Sequence, residues 1–133
     1  MLVPFARTMT RAELPVLDEH GLSMWAYSVL LHLTDDPVRT QAALAESIGA
    51  DKTRIIEYLD DLQDGGLITR EPDPSDRRAR LIGITARGRR VRDAAQAAIQ
   101  RNEQRLLDQI PATERDRFLR TVRRLAALAE VTF

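Results

Sequence analysis

The chain has 133 residues, 44% hydrophobic and 30% charged, which suits one domain with an apolar core and a water-facing surface. It has no cysteine, which excludes disulfides, thiolate metal sites and thiol-based peroxide sensing. The formal net charge is zero, which by itself argues against nucleic-acid binding unless the charge is unevenly distributed; there is no apolar run near about 18 residues and Met1–Phe5 lacks a cationic leader, so neither membrane span nor signal peptide is indicated and a cytoplasmic protein is expected.

Taken from the N-terminus, Thr10 and Glu13 have the spacing of a capping box and predict a helix over about residues 8–20, with Leu14 and Leu17 on one side. Pro15 is a point where that helix kinks or restarts. His20 falls at its end, where an imidazole can cap the last turn and meet the helix dipole. Gly21-Leu22 leads into a second helix from Ser23 to about Leu33, which carries Trp25, Tyr27 and His32. A lone Trp on an amphipathic helix is most often core, and the alternative is a wall of a ligand pocket with Tyr27 and His32. Two histidines without ligand-spaced partners give no metal site, and no cofactor is implied.

Thr40 to Gly66 has the punctuation of a helix-turn-helix. Thr40 can cap a helix whose apolar side is Ala42, Leu44, Ala45 and Ile48, and Gly49 supplies its C-terminal break. Asp51 can cap the next helix, where Ile55, Leu59 and Leu62 recur at i, i+4 and i+7 and so share one buried stripe. Thr53, Glu57, Asp60, Asp61 and Asp64 point the other way, and Gly65-Gly66 ends the helix.

Two short β-prone runs follow, Leu67–Arg70 and Arg80–Ile84, around the turn formers Pro72, Asp73, Pro74 and Ser75. This reads as a hairpin wing with an arginine-bearing tip. Arg77, Arg78 and Arg80 suit phosphate oxygens or a narrow minor groove, where the potential is most negative. The zero net charge hides an asymmetry here. Residues 41–64 hold Lys52 and Arg54 against six acidic groups, a net of −4, whereas residues 65–90 hold Arg70, Arg77, Arg78, Arg80, Arg87, Arg89 and Arg90 against three, a net of +4. The wing and the start of the next helix would supply most phosphate attraction, with steep salt dependence. For the wing arginines the competing reading is surface ion pairing to Asp73 and Asp76.

After Thr85, a plausible N-cap, a helix is predicted to about Gln109 with Val91, Ala94, Ala95, Ala98 and Ile99 on its apolar side; Pro111 breaks it. Thr113 can cap a last helix whose Phe118, Leu119, Val122, Leu125, Leu128 and Ala129 make a broad seam. A winged-helix module needs only about 70 residues, so these extra helices must bury something, and a homodimer is expected.

The residues resemble the multiple-antibiotic-resistance regulator (MarR) family of bacterial winged-helix transcription regulators. The resemblance rests on Gly21-Leu22, on Thr40-Gln41 with Leu44-Ala45, on Leu62 with Gly66-Leu67, and above all on Asp73-Pro74-x-Asp76-Arg77-Arg78 followed by Ile84-Thr85-x-x-Gly88. It implies a mainly α single domain over residues 1–133: a winged helix-turn-helix core over about 22–88 carrying a small β-hairpin wing, plus dimerisation helices over about 8–20 and 86–130. In the family the wing Asp braces an Arg that enters the minor groove, which corresponds to Asp76 bracing Arg78, with Arg77 beside it. It also implies a pseudo-palindromic operator, a nucleoid-associated location and often a small aromatic or lipophilic effector bound between winged helix and dimerisation helices. One position departs from the pattern: the Thr-Arg pair usual in the middle of the recognition helix is replaced by Ile56-Glu57.

The expected DNA-binding residues are therefore Thr40, Gln41, Lys52, Thr53, Arg54, Glu57, Asp76, Arg77, Arg78 and Arg80. A carboxylate at Glu57 can accept from a cytosine amino group but repels phosphates. The function expected is a homodimeric repressor released by a small ligand. A winged-helix dimer acting as a protein-interaction module is the alternative, drawn from the acidic recognition helix. An enzyme is not expected, since no nucleophile-base constellation or glycine-rich phosphate loop is present.

Overall fold

The computed structural model describes residues 1–33 and 39–132. Its elements in chain order are α1 (Leu2–Glu19), α2 (Met24–His32), β1 (Arg39–Thr40), α3 (Gln41–Ile48), α4 (Arg54–Asp64), β2 (Ile68–Asp73), β3 (Asp76–Ile84), α5 (Ala86–Leu107) and α6 (Ala112–Thr132). The chain divides into two compact units, Met1–Ala97 and Ala98–Phe133, and α5 begins in the first and ends in the second. Among the described residues no helix is long and apolar enough to cross a membrane.

The first unit is a mainly helical winged helix-turn-helix. Its core draws on buried side chains from α1 to α4 and β3: Leu17 of α1, Val29 and Leu30 of α2, Leu44 of α3, Ile55 and Leu59 of α4, and Ile82 of β3 all have zero exposure. Helix starts and stops follow local chemistry. Ser23 Oγ accepts from Ala26 N at 3.1 Å and Thr40 Oγ1 accepts from Ala43 N at 3.2 Å, each satisfying an otherwise orphan donor. Gly49 ends α3 at φ 66°, a left-handed conformation that a Cβ would disfavour.

Two expectations for the helices are corrected. Helix α1 does not begin at a Thr10 capping box but at Leu2, so Thr10 lies in its middle. Pro4 falls within the first turn, where a missing N–H costs no hydrogen bond, and the sequence runs on as one helix. Pro15 sits inside that helix without ending or restarting it, next to buried Val16 and Leu17; Leu14 shares the side of Leu17 by its three-residue spacing but is exposed. His20 does cap α1, with Nδ1 donating to Val16 O at 2.8 Å.

The sheet has the order β1-β3-β2, all antiparallel. The wing strands are longer than expected: β2 runs through Pro72 and Asp73, and Asp76–Ala79 belong to β3, leaving only Pro74-Ser75 as the turn. Because β2 is an edge strand it needs donors on one side only, so Pro72 is accommodated opposite Arg80, and the register breaks between Pro72 and Asp73. The two-residue β1 has no sequence signature, yet its pairing of Thr40 with Leu81 ties the start of α3 to the wing.

At the base of the wing, Thr85 N donates to Leu67 O at 3.0 Å, Thr85 Oγ1 donates to Gly66 O at 2.7 Å and accepts from Gly88 N at 2.9 Å. A Cβ on Gly88 would lie 2.0 Å from Leu67 O, so only glycine lets α5 leave the sheet this closely. That accounts physically for the Thr85-x-x-Gly88 spacing.

In the second unit α6 begins at Ala112, one residue before Thr113, so Pro111 rather than Thr113 holds the cap and its carbonyl accepts from Arg115 N at 2.9 Å. Arg115 Nη1 donates to Asp108 Oδ1 at 2.7 Å. The predicted apolar seam of α6 is present and open to solvent: Phe118, Val122, Leu125 and Leu128 are 42–53% exposed.

Candidate nucleic-acid interface

Strand pleating decides which wing side chains act together. Ile82 and Ile84 point into the core, so by the period of two Asp76, Arg78 and Arg80 share their side of β3, whereas Arg77 projects from the other face. Beyond the core edge that side opens into a groove of about 490 Å³ facing the helix-turn-helix, lined by Thr40, Gln41, Ala42, Ala45, Lys52, Ile55, Asp76, Arg78, Ala79 and Arg80. Six of the ten residues expected from sequence to touch DNA therefore converge on one groove, drawn from α3, the entry to α4 and the wing. Arg77, Thr53, Arg54 and Glu57 are exposed but lie outside it.

Asp73 and Asp76 near the tip accept from the turn's own hydroxyl and backbone N–H groups, which leaves the guanidinium groups open. Asp73 Oδ1 accepts from Ser75 Oγ at 2.7 Å and Ser75 N at 2.9 Å, and these two hydrogen bonds hold its carboxyl below the usual carboxylate range. Asp76 Oδ1 accepts from Arg78 N at 3.0 Å, so the brace acts on the backbone of Arg78 rather than on its side chain. Among the described residues no ion pair engages Arg77, Arg78 or Arg80, and the surface ion-pairing reading of the wing has no structural support.

The turn into α4 is fixed in the same way. Asp51 Oδ1 accepts from both Thr53 N and Thr53 Oγ1 at 2.9 Å, which lowers its carboxyl pKa, and Asp51 O accepts from Ile55 N at 3.1 Å. Asp51 thus caps the turn leading in, while the helix itself starts at Arg54 with Thr53 at its N-cap. The expected buried stripe of α4 is observed, with Ile55, Leu59 and Leu62 at 0–3% exposure.

One arginine leaves the set of phosphate-seeking charges. Arg70 Nε donates to Gln63 Oε1 at 2.6 Å and Arg70 Nη2 pairs with Asp60, so this side chain ties β2 to the outer side of α4. Arg70 therefore does not add to the wing's free positive charge, contrary to what its place in the sequence suggests; the seven-residue separation from Gln63 spans a turn and carries no periodic signal.

Trp25, Tyr27 and His32 stand in different settings on α2. Trp25 stacks on Tyr58, with centroids 6.3 Å apart and an interplanar angle of 29°, and lines an open cavity of about 320 Å³ with Gly49, Ala50, Asp51, Arg54 and Tyr58. Tyr27 leaves α2 at about 200° from Trp25 and is buried, and His32 Nδ1 donates to Ser28 O at 2.7 Å. A different cavity of about 450 Å³ collects His20 and Ser23 from the caps between α1 and α2, Tyr58, Asp61 and Leu62 from α4, and Arg87 and Val91 from α5. Its polar residues are scattered through the sequence, so nothing local marked them as neighbours.

Comparison with known proteins bears on this geometry. A sequence profile of the MarR family matches residues 20–79. The transcriptional regulator HosA of Escherichia coli O111:H- is 30% identical over 99 residues, covering 74% of this chain and 73% of its own. A MarR-family transcriptional regulator from Rhodococcus sp. RHA1 is similar at 31% identity with a TM-score of 0.78, covering 94% of this chain and 89% of its own. The transcriptional repressor CouR bound to a 23-mer DNA duplex is similar at 28% identity and TM-score 0.79, covering 94% and 89%. CouR from Rhodococcus jostii RHA1 bound to p-coumaroyl-CoA is similar at 32% identity and TM-score 0.73, covering 94% and 88%.

Proposed function

Because the chain belongs to the MarR family of DNA-binding winged-helix transcriptional regulators, we propose that it acts as a homodimeric repressor that clamps a pseudo-palindromic operator and is released by a small aromatic or lipophilic ligand. The observation that carries this reading is the groove in which Lys52, Arg78 and Arg80 face the helix-turn-helix with no ion pair engaging the two wing arginines among the described residues. Thr40 and Gln41 start α3 beside it and serve as phosphate anchors; Thr53, Arg54 and Glu57 present the start of α4 to the major groove. Arg78 and Arg80, set by the Asp76 brace, enter the flanking minor groove, with Arg77 on the outer phosphates.

Dimerisation is supported by the open apolar faces of α6 and of the start of α1, where Leu2, Val3 and Phe5 are 50–75% exposed. Exposed apolar faces of this kind mark interaction surfaces. Because both half-sites must be engaged together, a small change in the angle between two winged-helix lobes removes one set of contacts and much of the affinity.

For the ligand, the cavity under α4 is the better candidate than the Trp25 surface. Arg87 and His20 can meet an anionic group and Tyr58 an aromatic ring, while Tyr58, Asp61 and Leu62 carry any displacement directly into α4. Its action at the chromosome places the protein in the cytoplasm with the nucleoid. The test is binding to a labelled duplex of its own upstream region over a salt series, with R78A alongside. The expected result is a specific, salt-sensitive complex weakened in the variant; absence of any specific complex overturns the reading.

A further inference from the structure

We infer that Ile56 and Glu57 read pyrimidine bases in the major groove, Ile56 through the 5-methyl group of a thymine and Glu57 through the 4-amino group of a cytosine, an inference that rests on the DNA-binding reading above. The starting point is what α4 turns outward. With Ile55, Leu59 and Leu62 buried, about 100° per residue places Thr53 and Glu57 within about 20° of the opposite side and Ile56 about 100° from Ile55. Of the two cations at the start of α4, Lys52 lies off this ridge and Arg54 flanks it on the side away from Ile56. Lys52 faces the wing groove, and Arg54 lines the cavity beside Trp25 and Tyr58. Asp60, the next acidic group along, is paired with Arg70. The outward side of α4 therefore presents a hydroxyl, a first-turn carboxylate that no ion pair engages among the described residues and, on one flank, an isoleucine that is 41% exposed.

The chemistry of base edges then selects. A carboxylate only accepts, so guanine's N7 and O6 and thymine's O4 repel it, adenine offers its amino group beside its own N7 acceptor, and cytosine is the one base whose own major-groove edge carries a donor and no acceptor. Of the four bases only thymine presents a methyl group there, which is the partner for a branched aliphatic side chain. An arginine at either position would instead seek guanine. The helix N-terminus with Lys52 and Arg54 on its flanks offsets the approach of the Glu57 charge to the phosphates.

The experiment is selection of bound duplexes from a randomised library by the full-length wild type, I56A and E57Q, followed by measurement on the enriched duplex with each thymine replaced in turn by uracil. The wild type is expected to enrich a half-site with a C and a T on neighbouring base pairs. One thymine-to-uracil replacement per half-site should weaken it about fourfold, the value of one buried methyl, and leave I56A unchanged. E57Q should exchange the preferred cytosine for adenine, whose amino group and N7 suit an amide, with about tenfold discrimination. An enriched half-site that is identical in all three proteins, or insensitive to every uracil, overturns the inference and leaves the regulator reading standing. No enrichment by the wild type overturns both.

Discussion

Replacing Gly88 by alanine should cost about 3–5 kcal/mol of folding free energy. The added Cβ would sit 2.0 Å from Leu67 O and 2.9 Å from Ile84 Cγ1, and a backbone carbonyl cannot rotate aside as a flexible side chain can. That carbonyl also accepts from Thr85 N at 3.0 Å. To restore van der Waals separation α5 must move by more than about 1 Å, a displacement that overpacking studies place at about 1–3 kcal/mol. The movement also breaks the Thr85 cap to Gly88 N and strains its bonds to Leu67 and Gly66, each a contribution of about 1 kcal/mol. For a chain of this size each kcal/mol shifts Tm by about 3–5 °C, so thermal unfolding followed by circular dichroism should fall by about 10–20 °C. Gly65 is the matched control. It ends α4 at φ −74°, with the nearest atom to an added Cβ at an ordinary 3.4 Å, so G65A should be within about 1 kcal/mol of wild type. A G88A protein as stable as wild type, or no more destabilised than G65A, would refute the close-approach reasoning.

Three other perturbations probe separate parts of the structure. R78A should weaken binding to every duplex sequence and flatten the log-log salt dependence by about one unit per half-site, measured by fluorescence anisotropy; an unchanged slope would remove Arg78 from the electrostatic contacts. Asp73 is held below the usual carboxylate range by its bonds from Ser75, so the order it confers on the tip is fully present above the ordinary value of about 3.9 and is lost as pH falls through its lower folded-state pKa. The Ser75 amide resonance should therefore hold steady at pH 4 and move only in more acid solution, and movement centred at or above pH 4 would contradict the geometry. On α6, F118D combined with L125D places charges on a face that is 42–51% exposed in the single chain; sedimentation should give a monomer, with affinity for DNA reduced at least tenfold, whereas an unaltered dimer would put the interface elsewhere.

The helix caps at Thr40 and Gly49, the buried stripe of α4 and the wing motif were legible from the sequence because each depends on residues within a turn or two of one another. The same locality misled at Thr10, where a capping-box spacing occurs inside a helix that had already begun eight residues earlier at Leu2. Turn formers at Pro72 and Asp73 ended the expected strand too soon, since whether a proline breaks a strand depends on edge or central position, which is a property of the sheet. Of the candidate site, residue types and the Asp76–Arg78 spacing came from the sequence alone, and so did the family. Tertiary structure decided that Arg78 and Arg80, but not Arg77, share a groove with Thr40, Gln41 and Lys52, that Arg70 is spent on Asp60 and Gln63, and that His20, Tyr58 and Arg87 border one cavity. The physical division is one of range: caps, turns and amphipathic periods are fixed by neighbours along the chain, whereas pleat, strand order and helix approach bring together groups that no local pattern relates.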